Sequence, residues 1–439
     1  MKINAMRFQF TFLLALLGAP ALAQVPTPAG PQAKPVLITG ATLHVGNGTV
    51  VPNAAVAFAQ GKLTYAGPAS GFTADKAGYE TVDGTGQDLY PGLILPNTTL
   101  GLTDVESIRA TVDEAEVGIL NPNVRSLIAY NTDSDVLPTL RMNGVLLAQP
   151  TPRGGLLTGQ SSVVQLDAWN WQDAVVRADE GQHLSWPQLI VRTNPAEDAA
   201  ALERRQKARE TNLRDLEQLF GEAAAYRQLP TGRRENLRLT ALAGLFDGSK
   251  TLYLHADYGK EIIESVRFAK RLGVQKVAVV GGRDAWMVLD FLKQNDVAVV
   301  VSRLHALPRR DADDYDQPYK LPAQLQAAGI RYCLDYEGSQ EAPGGRNLAF
   351  IAGTAAAYGL TKEQALTAIT LAPAQLMGID KAYGSLETGK SATLVISKGD
   401  LLDMRTNNVT SAFIDGRRIT LETKQTALNR KFLGKYGLE

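Results

Sequence analysis

The sequence has almost no cysteine, since Cys333 is the only one in 439 residues. An internal disulfide and a Cys-x-x-Cys metal or redox pair are therefore excluded, and the core has to hold the fold together. The sequence also lacks an excess of charge of either sign, because 45 Lys and Arg side chains stand against 45 Asp and Glu. A balanced charge gives no indication of nucleic acid or an anionic membrane surface as a partner.

Long apolar runs are also missing, except for one near the start of the chain. That run, Phe8 to Leu17, follows the basic residues Lys2 and Arg7 and precedes Ala21-Leu22-Ala23. This order is typical of a secretory signal peptide, so residues 1–23 are predicted to be removed after Ala23 and the mature chain to be periplasmic or secreted. A membrane anchor is the alternative, but about ten apolar residues cannot span about 30 Å of hydrocarbon. No membrane span is predicted elsewhere, and there is no Gly-x-Ser-x-Gly serine motif.

Strands alternate with helices in the middle of the chain, which is typical of a parallel sheet in the α/β class. The repeat of about 25 residues favours a (β/α)8 TIM-like barrel over an open doubly wound sheet. The clearest predicted strands are 251–257, 276–282, 297–303 and 330–335. Helices are predicted over 196–227, 259–272, 284–294 and 348–358. Residues 24–35 are predicted to form a linker, and 154–186 a long loop over the barrel mouth that carries Trp169 and Trp171 as a lid.

The stretch from Tyr90 to Thr99, read as Tyr-Pro-Gly-Leu-Ile-Leu-Pro-Asn-Thr-Thr, resembles the first barrel strand of the amidohydrolase superfamily. In that family Pro-Gly-Leu-Ile leads into an acidic residue and a His-x-His pair. Gly384 to Lys390 resembles the entry to the family's closing strands, and three segments resemble its end-of-barrel helices: Asn347-Leu348, Thr361 to Leu366 and Ala372 to Ala374. The resemblance implies a barrel over residues 89–378 and a small β-sandwich built from 36–88 and 379–420, with 421–439 as a tail.

The resemblance also indicates which positions would bind metal. A complete two-metal site in the family uses four histidines, one aspartate and a carboxylated lysine, but the first-strand positions here hold Asn97 and Thr99. Gly281 stands at the position of the fourth histidine. The chain has four histidines in total, of which His44 falls in the small β-domain and His183 lacks ligand spacing. A binuclear centre is therefore not expected, and at most one divalent ion such as zinc is predicted.

Seven residues near strand ends are candidates for catalysis or substrate binding. His255 matches the family's third histidine and is predicted as a metal ligand or catalytic group, with a structural histidine as the alternative. Glu337 falls at the position of the catalytic aspartate, and Asp335 two residues earlier faces the same way, so either is a candidate general base. A solvated loop carboxylate is the alternative for both. Arg283 and His305, together with Asn97 and Thr99, are predicted to contact the substrate.

Two functions of different classes remain open from the sequence. The first is an exported hydrolase of the imidazolonepropionase-like branch. It would cleave a C–N bond in a small amide or small peptide with His255 and Glu337, at a site with one metal ion or none. The second is a catalytically silent member that binds a small ligand or a partner at the barrel mouth. A small molecule is the expected partner in both cases, and assembly into a homo-oligomer is left open.

Overall fold

The computed structural model describes residues 27–189, 198–230, 234–338 and 340–438. The predicted signal peptide lies outside the described residues. Within these ranges, no helix has both the length and the apolar character needed to cross a bilayer.

The described residues form sixteen strands: β1 (Val36–His44), β2 (Val50–Ala59), β3 (Lys62–Pro68), β4 (Glu80–Asp83), β5 (Asp88–Pro91), β6 (Leu93–Thr98), β7 (Val145–Pro150), β8 (Leu157–Gln165), β9 (Val175–Ser185), β10 (Thr251–Ala256), β11 (Lys276–Gly281), β12 (Ala298–Val301), β13 (Tyr332–Leu334), β14 (Leu394–Ser397), β15 (Val409–Ile414) and β16 (Arg417–Arg418).

The α-helices of the described residues are α1 (Ser126–Ala129), α2 (Leu137–Arg141), α3 (Trp171–Ala174), α4 (Ala199–Arg227), α5 (Leu237–Leu242), α6 (Gly259–Arg271), α7 (Leu289–Gln294), α8 (Gln317–Ala328), α9 (Glu341–Gly344), α10 (Leu348–Ala357), α11 (Lys362–Thr367), α12 (Leu371–Leu376) and α13 (Lys424–Tyr436). The predicted long helix over 196–227 and the strand–helix units from 251 onward are confirmed, with ends that differ by a few residues.

Strands from the two ends of the chain meet in a single mixed sheet. Its order is β16-β15-β14-β5-β1-β2-β3, and β4 pairs with β1. The joint between the ends is an antiparallel pairing of β14 with β5, in which Leu394 lies opposite Pro91. A second sheet domain built from both ends is therefore present, and its strands belong to one hydrogen-bonded sheet.

The other eight strands form a nearly closed barrel in the order β6 to β13. Neighbouring strands from β9 to β13 are parallel, as are β6 and β7. Strand β6 is buried along its whole length, which explains its nearly continuous apolar sequence. The barrel departs from a regular (β/α)8 pattern at β8, which runs antiparallel to both β7 and β9.

The prediction of a long loop over 154–186 was wrong. Most of this segment forms β8 and β9, which pair with each other and with the strands on either side. Every residue of β8 is buried, including Ser161 and Ser162. Small polar side chains that face the barrel interior weaken the apolar pattern by which a strand is usually predicted.

The described part of the predicted linker is held in place by the folded chain. The Ala29 N–H donates to the Asp167 carboxylate at 2.8 Å, and the Arg417 guanidinium donates to the Ala29 carbonyl oxygen at 3.0 Å. Gln32 accepts from the Gly61 N–H at 2.9 Å. Residues 27–35 are thereby attached to both sheets.

Candidate active site

Asn97 lies at the end of the first barrel strand and joins it to the last one. Its side-chain Nδ2 donates to Asp335 Oδ2 at 2.9 Å, immediately after β13. Its N–H donates to Gln149 Oε1 on β7 at 2.9 Å. The backbone here has φ +45°, a left-handed conformation that asparagine tolerates better than most residues. The structure thus brings Asn97 and Asp335 together at the carboxyl end of the barrel, where barrel enzymes bind their substrates.

Arg153 covers this pair from the loop after β7. Its Nη1 donates to Asn97 Oδ1 at 3.0 Å, and its Nη2 donates to the Asn97 carbonyl oxygen at 2.9 Å and to Glu341 Oε1. The Thr99 N–H donates to the same Glu341 oxygen at 3.0 Å. Sequence reasoning missed Arg153 and Glu341, because neither occupies a position of the family's metal site.

Carboxyl groups at the mouth hold protons more tightly than usual. Burial raises the pKa of Glu341 to about 7, with a further contribution from the charge of Glu337, although Arg153 acts in the opposite direction. Burial and the neighbouring charge of Glu337 raise the pKa of Asp335 well above its ordinary value. Like charges brought together out of water make ionisation of both Glu341 and Asp335 costly. A proton is therefore retained near neutral pH.

A cavity of about 290 Å³ opens above Arg153 and Glu341. Its lining residues are Thr99, Thr103, Glu106, Val112, Glu114, Arg153, Gly338 and Glu341. A larger cavity of about 590 Å³ lies elsewhere, at the first residues of β12 and β13. We assign the candidate site to the smaller cavity, because substrates of barrel enzymes bind at the carboxyl ends of the strands.

His255 forms a pair with His183 on the neighbouring strand. His183 Nδ1 lies 2.9 Å from His255 Nε2, and His183 Nε2 lies 2.9 Å from Ser161 Oγ. Burial lowers the pKa of His255 to about 3, helped by the charge of Arg153, and burial lowers the pKa of His183 well below its usual value. Both rings are neutral at physiological pH. His183 shows no ligand spacing in the sequence, because its partner His255 lies on a different strand.

A buried glutamate anchors the same hydrogen-bond network. Glu180 accepts from Gln149 Nε2 at 2.6 Å, from Ser161 Oγ and from the Tyr253 hydroxyl at 3.0 Å. Burial raises the pKa of Glu180 above its usual value, while these three donors lower it. The interior of the barrel is therefore a polar network whose members bind one another.

These residues do not fit a bound divalent metal. Among the described residues, no three His, Cys, Asp or Glu side chains are grouped so that they could hold one. His255 Nε2 is hydrogen bonded to His183, and Asp335 accepts from Asn97. Arg153 adds a permanent positive charge beside them, and no metal ligand can be formed from its guanidinium.

The remaining predicted site residues lie around the rim. Glu337 accepts from the Ser302 hydroxyl at 2.9 Å, and its N–H donates to Asp335. Arg283 is more exposed, with its Nε 3.7 Å from Asp257. His305 lies 2.7 Å from the Thr354 hydroxyl on α10, and neither it nor Arg283 lines the mouth cavity.

The prediction that Trp169 and Trp171 form a lid was wrong. Because β8 is antiparallel, the chain leaves it at Gln165, which pairs with Leu147 near the start of β7. Both tryptophans therefore lie toward the opposite end of the barrel from the mouth cavity. Trp171 packs against the core, and Trp169 is largely exposed.

Gly384 to Ser391 has the Gly-x4-Gly-Lys-Ser spacing of a phosphate loop, but not its structure. A phosphate loop is followed by a helix whose N-terminus faces the phosphate. Here Ser391 instead makes an antiparallel bridge with Lys62, and Lys390 is paired with Glu387 at 3.0 Å. The segment therefore serves the small sheet domain.

Residues 319–419 match the model of the Amidohydrolase family. The chain carries an amidohydrolase family domain. An imidazolonepropionase from Flavobacterium psychrophilum is 32% identical over 111 residues, which are 23% of this chain and 26% of the relative. The match spans about a quarter of the length of this curated relative. The identity of the relative agrees with the family resemblance predicted from the sequence.

Solved structures show that the similarity in fold extends well beyond residues 319–419. An amidohydrolase from Thermotoga maritima superimposes with a TM-score of 0.75 and 20% identity, covering 88% of this chain and 99% of that one. A prolidase in complex with N-methylphosphonate-L-proline gives a TM-score of 0.54 at 12% identity, with the same coverage. At these identities the similarity establishes the barrel fold alone.

Proposed function

We propose that this chain is an exported hydrolase that cleaves a C–N bond in a small amide at the barrel mouth, without a metal ion. The observation that carries the proposal is Glu341, a carboxyl with a pKa of about 7 that lines a 290 Å³ cavity beside Arg153. A general acid–base catalyst works best when its pKa lies near the operating pH. Export, with cleavage after Ala23, remains a prediction from the sequence.

Glu341 and Glu337 are the groups to which we assign the proton transfers. One of them, ionised, accepts a proton from a water molecule as its oxygen attacks the amide carbon. The other, protonated, donates to the departing nitrogen as the C–N bond breaks. Two neighbouring carboxyls can divide the acid and base roles of one reaction in this way.

Arg153 supplies the positive charge in this proposal. Its guanidinium is oriented by Asn97 and can donate to the oxygen that becomes negative as water adds to the amide. Asp335 fixes Asn97 from behind and does not contact the substrate, since it is fully buried. His255 was predicted from the sequence as a metal ligand. In this proposal it holds the His183 ring in position through their hydrogen bond.

A specific observation favours a second function, ligand binding without turnover. The polar groups in the barrel interior already bind one another, from Glu180 through Ser161 and His183 to His255. Each of these groups is already bound by a neighbour, and the lowered pKa of His255 makes its ring a weak base. In this alternative the cavity beside Arg153 and Glu341 binds a small molecule and releases it unchanged.

Turnover of a panel of cyclic amides and dipeptides, after treatment with a chelator, separates the two functions. The hydrolase predicts release of amine that falls by about 100-fold or more in Glu341→Gln, the usual scale for loss of an acid–base group. Glu210→Gln, on the exposed face of α4, is the matched control and should keep full activity. Saturable binding of a panel member without turnover would establish the silent function instead.

A further inference from the structure

An acidic segment with exposed apolar residues borders the barrel mouth. This mouth segment, residues 104–119, contains five acidic residues and one basic residue, Arg109. Its exposed apolar side chains are Val105, Ile108, Val117 and Ile119, of which Val117 is 90% exposed. None of these four belongs to a hydrophobic cluster of the described residues. Apolar residues grouped in this way commonly mark an interaction surface.

Helix α13 has the complementary character. None of its residues is buried, and its exposed apolar side chains Leu428, Phe432 and Tyr436 follow one another at intervals of four. This spacing places them in one row along the helix. A second row, beside the first, contains Lys424, Lys431 and Lys435. The helix therefore presents lysines next to apolar residues, while the mouth segment presents carboxylates next to apolar residues.

The two surfaces lie on the same side of the molecule. Lys424, at the start of α13, pairs with Asp135 at 3.2 Å. Nearby in the chain, the Asn131 N–H donates to the Gly101 carbonyl oxygen, and its side chain donates to Asp104 at the start of the mouth segment. In a dimer whose twofold axis passes through this side, the helix of each copy would face the segment of the other.

We propose that α13 of one copy docks on the mouth segment of a second copy, and that this contact is made twice in a symmetric dimer. The charges favour docking of α13 on the mouth segment over packing of two α13 helices against each other. Two lysine rows repel each other, whereas lysines attract the carboxylates of Glu106, Asp113 and Glu116. Within the described ranges, none of these three carboxylates has an ion pair.

The contact would also enclose the mouth cavity. Glu106, Val112 and Glu114 of the mouth segment are part of its lining. A helix from the partner copy placed on this segment shields the cavity from water without entering it. The dimer thereby links assembly to access at the barrel mouth, whichever of the two functions the cavity serves.

Light scattering during size-exclusion chromatography, over a range of protein concentrations, tests the proposal with charge reversals on both surfaces. The wild-type chain should be a dimer. In the helix variant, Lys424, Lys431 and Lys435 are changed to Glu. In the segment variant, Glu106, Asp113 and Glu116 are changed to Lys. Each variant should dissociate into monomers at concentrations about tenfold or more above those at which the wild type dissociates. Both sets of changes in one chain should restore the dimer, which a merely misfolded helix could not do.

A matched control carries Lys76→Glu, Lys207→Glu and Lys381→Glu, three exposed lysines outside both surfaces, and should remain dimeric. The wild-type dimer should also weaken as salt rises from about 0.05 M to about 0.5 M, since exposed charges are screened. A monomeric wild-type chain would overturn the proposal, as would a dimer that neither reversal weakens. Binding of the wild-type monomer to vesicles containing an anionic phospholipid would show that α13 instead docks on a membrane.

Discussion

Arg153 holds Asn97 at two points, through the side-chain oxygen at 3.0 Å and the backbone oxygen at 2.9 Å. A guanidinium presents its donors in a rigid plane, so this fork fixes both the arginine and the end of the first barrel strand. In the resembled family this position would carry a histidine ligand. Here it is Asn97, whose side-chain amide oxygen accepts a hydrogen bond from Arg153. The positive charge at the mouth is therefore supplied by the Arg153 side chain.

The first prediction concerns the geometry of that fork. Arg153→Met should lower the free energy of unfolding by about 1–3 kcal/mol, because it removes the arginine donors to both Asn97 oxygens and leaves Glu341 Oε1 with only the Thr99 N–H. Arg153→Lys keeps the charge but cannot reproduce the two-point contact, so it should recover only part of the loss. Chemical denaturation at neutral pH measures both. Equal stability of all three proteins would show that the fork does not support the site.

The second prediction is a pH dependence of stability that comes from Glu341. Its pKa rises from 4.5 in the unfolded chain to about 7 in the folded one, so the folded state holds the proton longer. Between these two values the unfolded chain is ionised first, and stability falls as pH rises. The loss approaches about 3 kcal/mol above pH 7. Denaturation curves of Glu341→Gln should lack this decline, whereas an unchanged decline would assign it to another group.

The third prediction concerns His255, for which the sign is reversed. Its pKa falls from 6.5 to about 3 on folding, so the unfolded chain takes up the proton first. The stability that His255 contributes is complete above about pH 6.5 and decreases as pH falls, by about 2 kcal/mol at about pH 5. His255→Asn keeps a polar partner for His183 but does not titrate. Its stability should change less than that of the wild type over this interval.

The fourth prediction separates the two ends of the barrel. Trp169→Ala should leave ligand binding and any turnover at the mouth cavity unchanged within about twofold, because Trp169 lies toward the other end. Thr99→Trp, which adds bulk to the lining of the cavity, should weaken both. Calorimetric titration with a compound of the amide panel makes the comparison. A clear loss with Trp169→Ala would return the lid hypothesis to consideration.

The sequence predicted the parts of the fold whose patterns are local. The run from Leu93 to Thr98 and the strand–helix units from 251 onward carry their own apolar signals, and the structure confirms them. Strand β8 was missed because its inward side chains are small and polar. The sequence placed Asn97 and Asp335 near strand ends, but it did not predict that they bind each other.

The rest of the site depends on contacts between residues far apart in the chain. His183 and His255 are separated by 72 residues, and Arg153 and Glu341 by 188. Neither pair forms a motif with fixed spacing. The family pattern indicates where the barrel mouth lies. It does not identify the side chains at the mouth once the family's metal ligands have been replaced by other residues.

In the proposed function, the barrel mouth acts through Arg153 and carboxyls and needs no metal ion. Elemental analysis of the mature protein, produced with zinc, manganese and iron in excess and then freed of loosely bound ions, tests this most directly. The account predicts less than about 0.1 metal ion per chain, well below the single ion that a mononuclear catalytic site would hold. One tightly bound ion per chain that is lost in His255→Ala would contradict it.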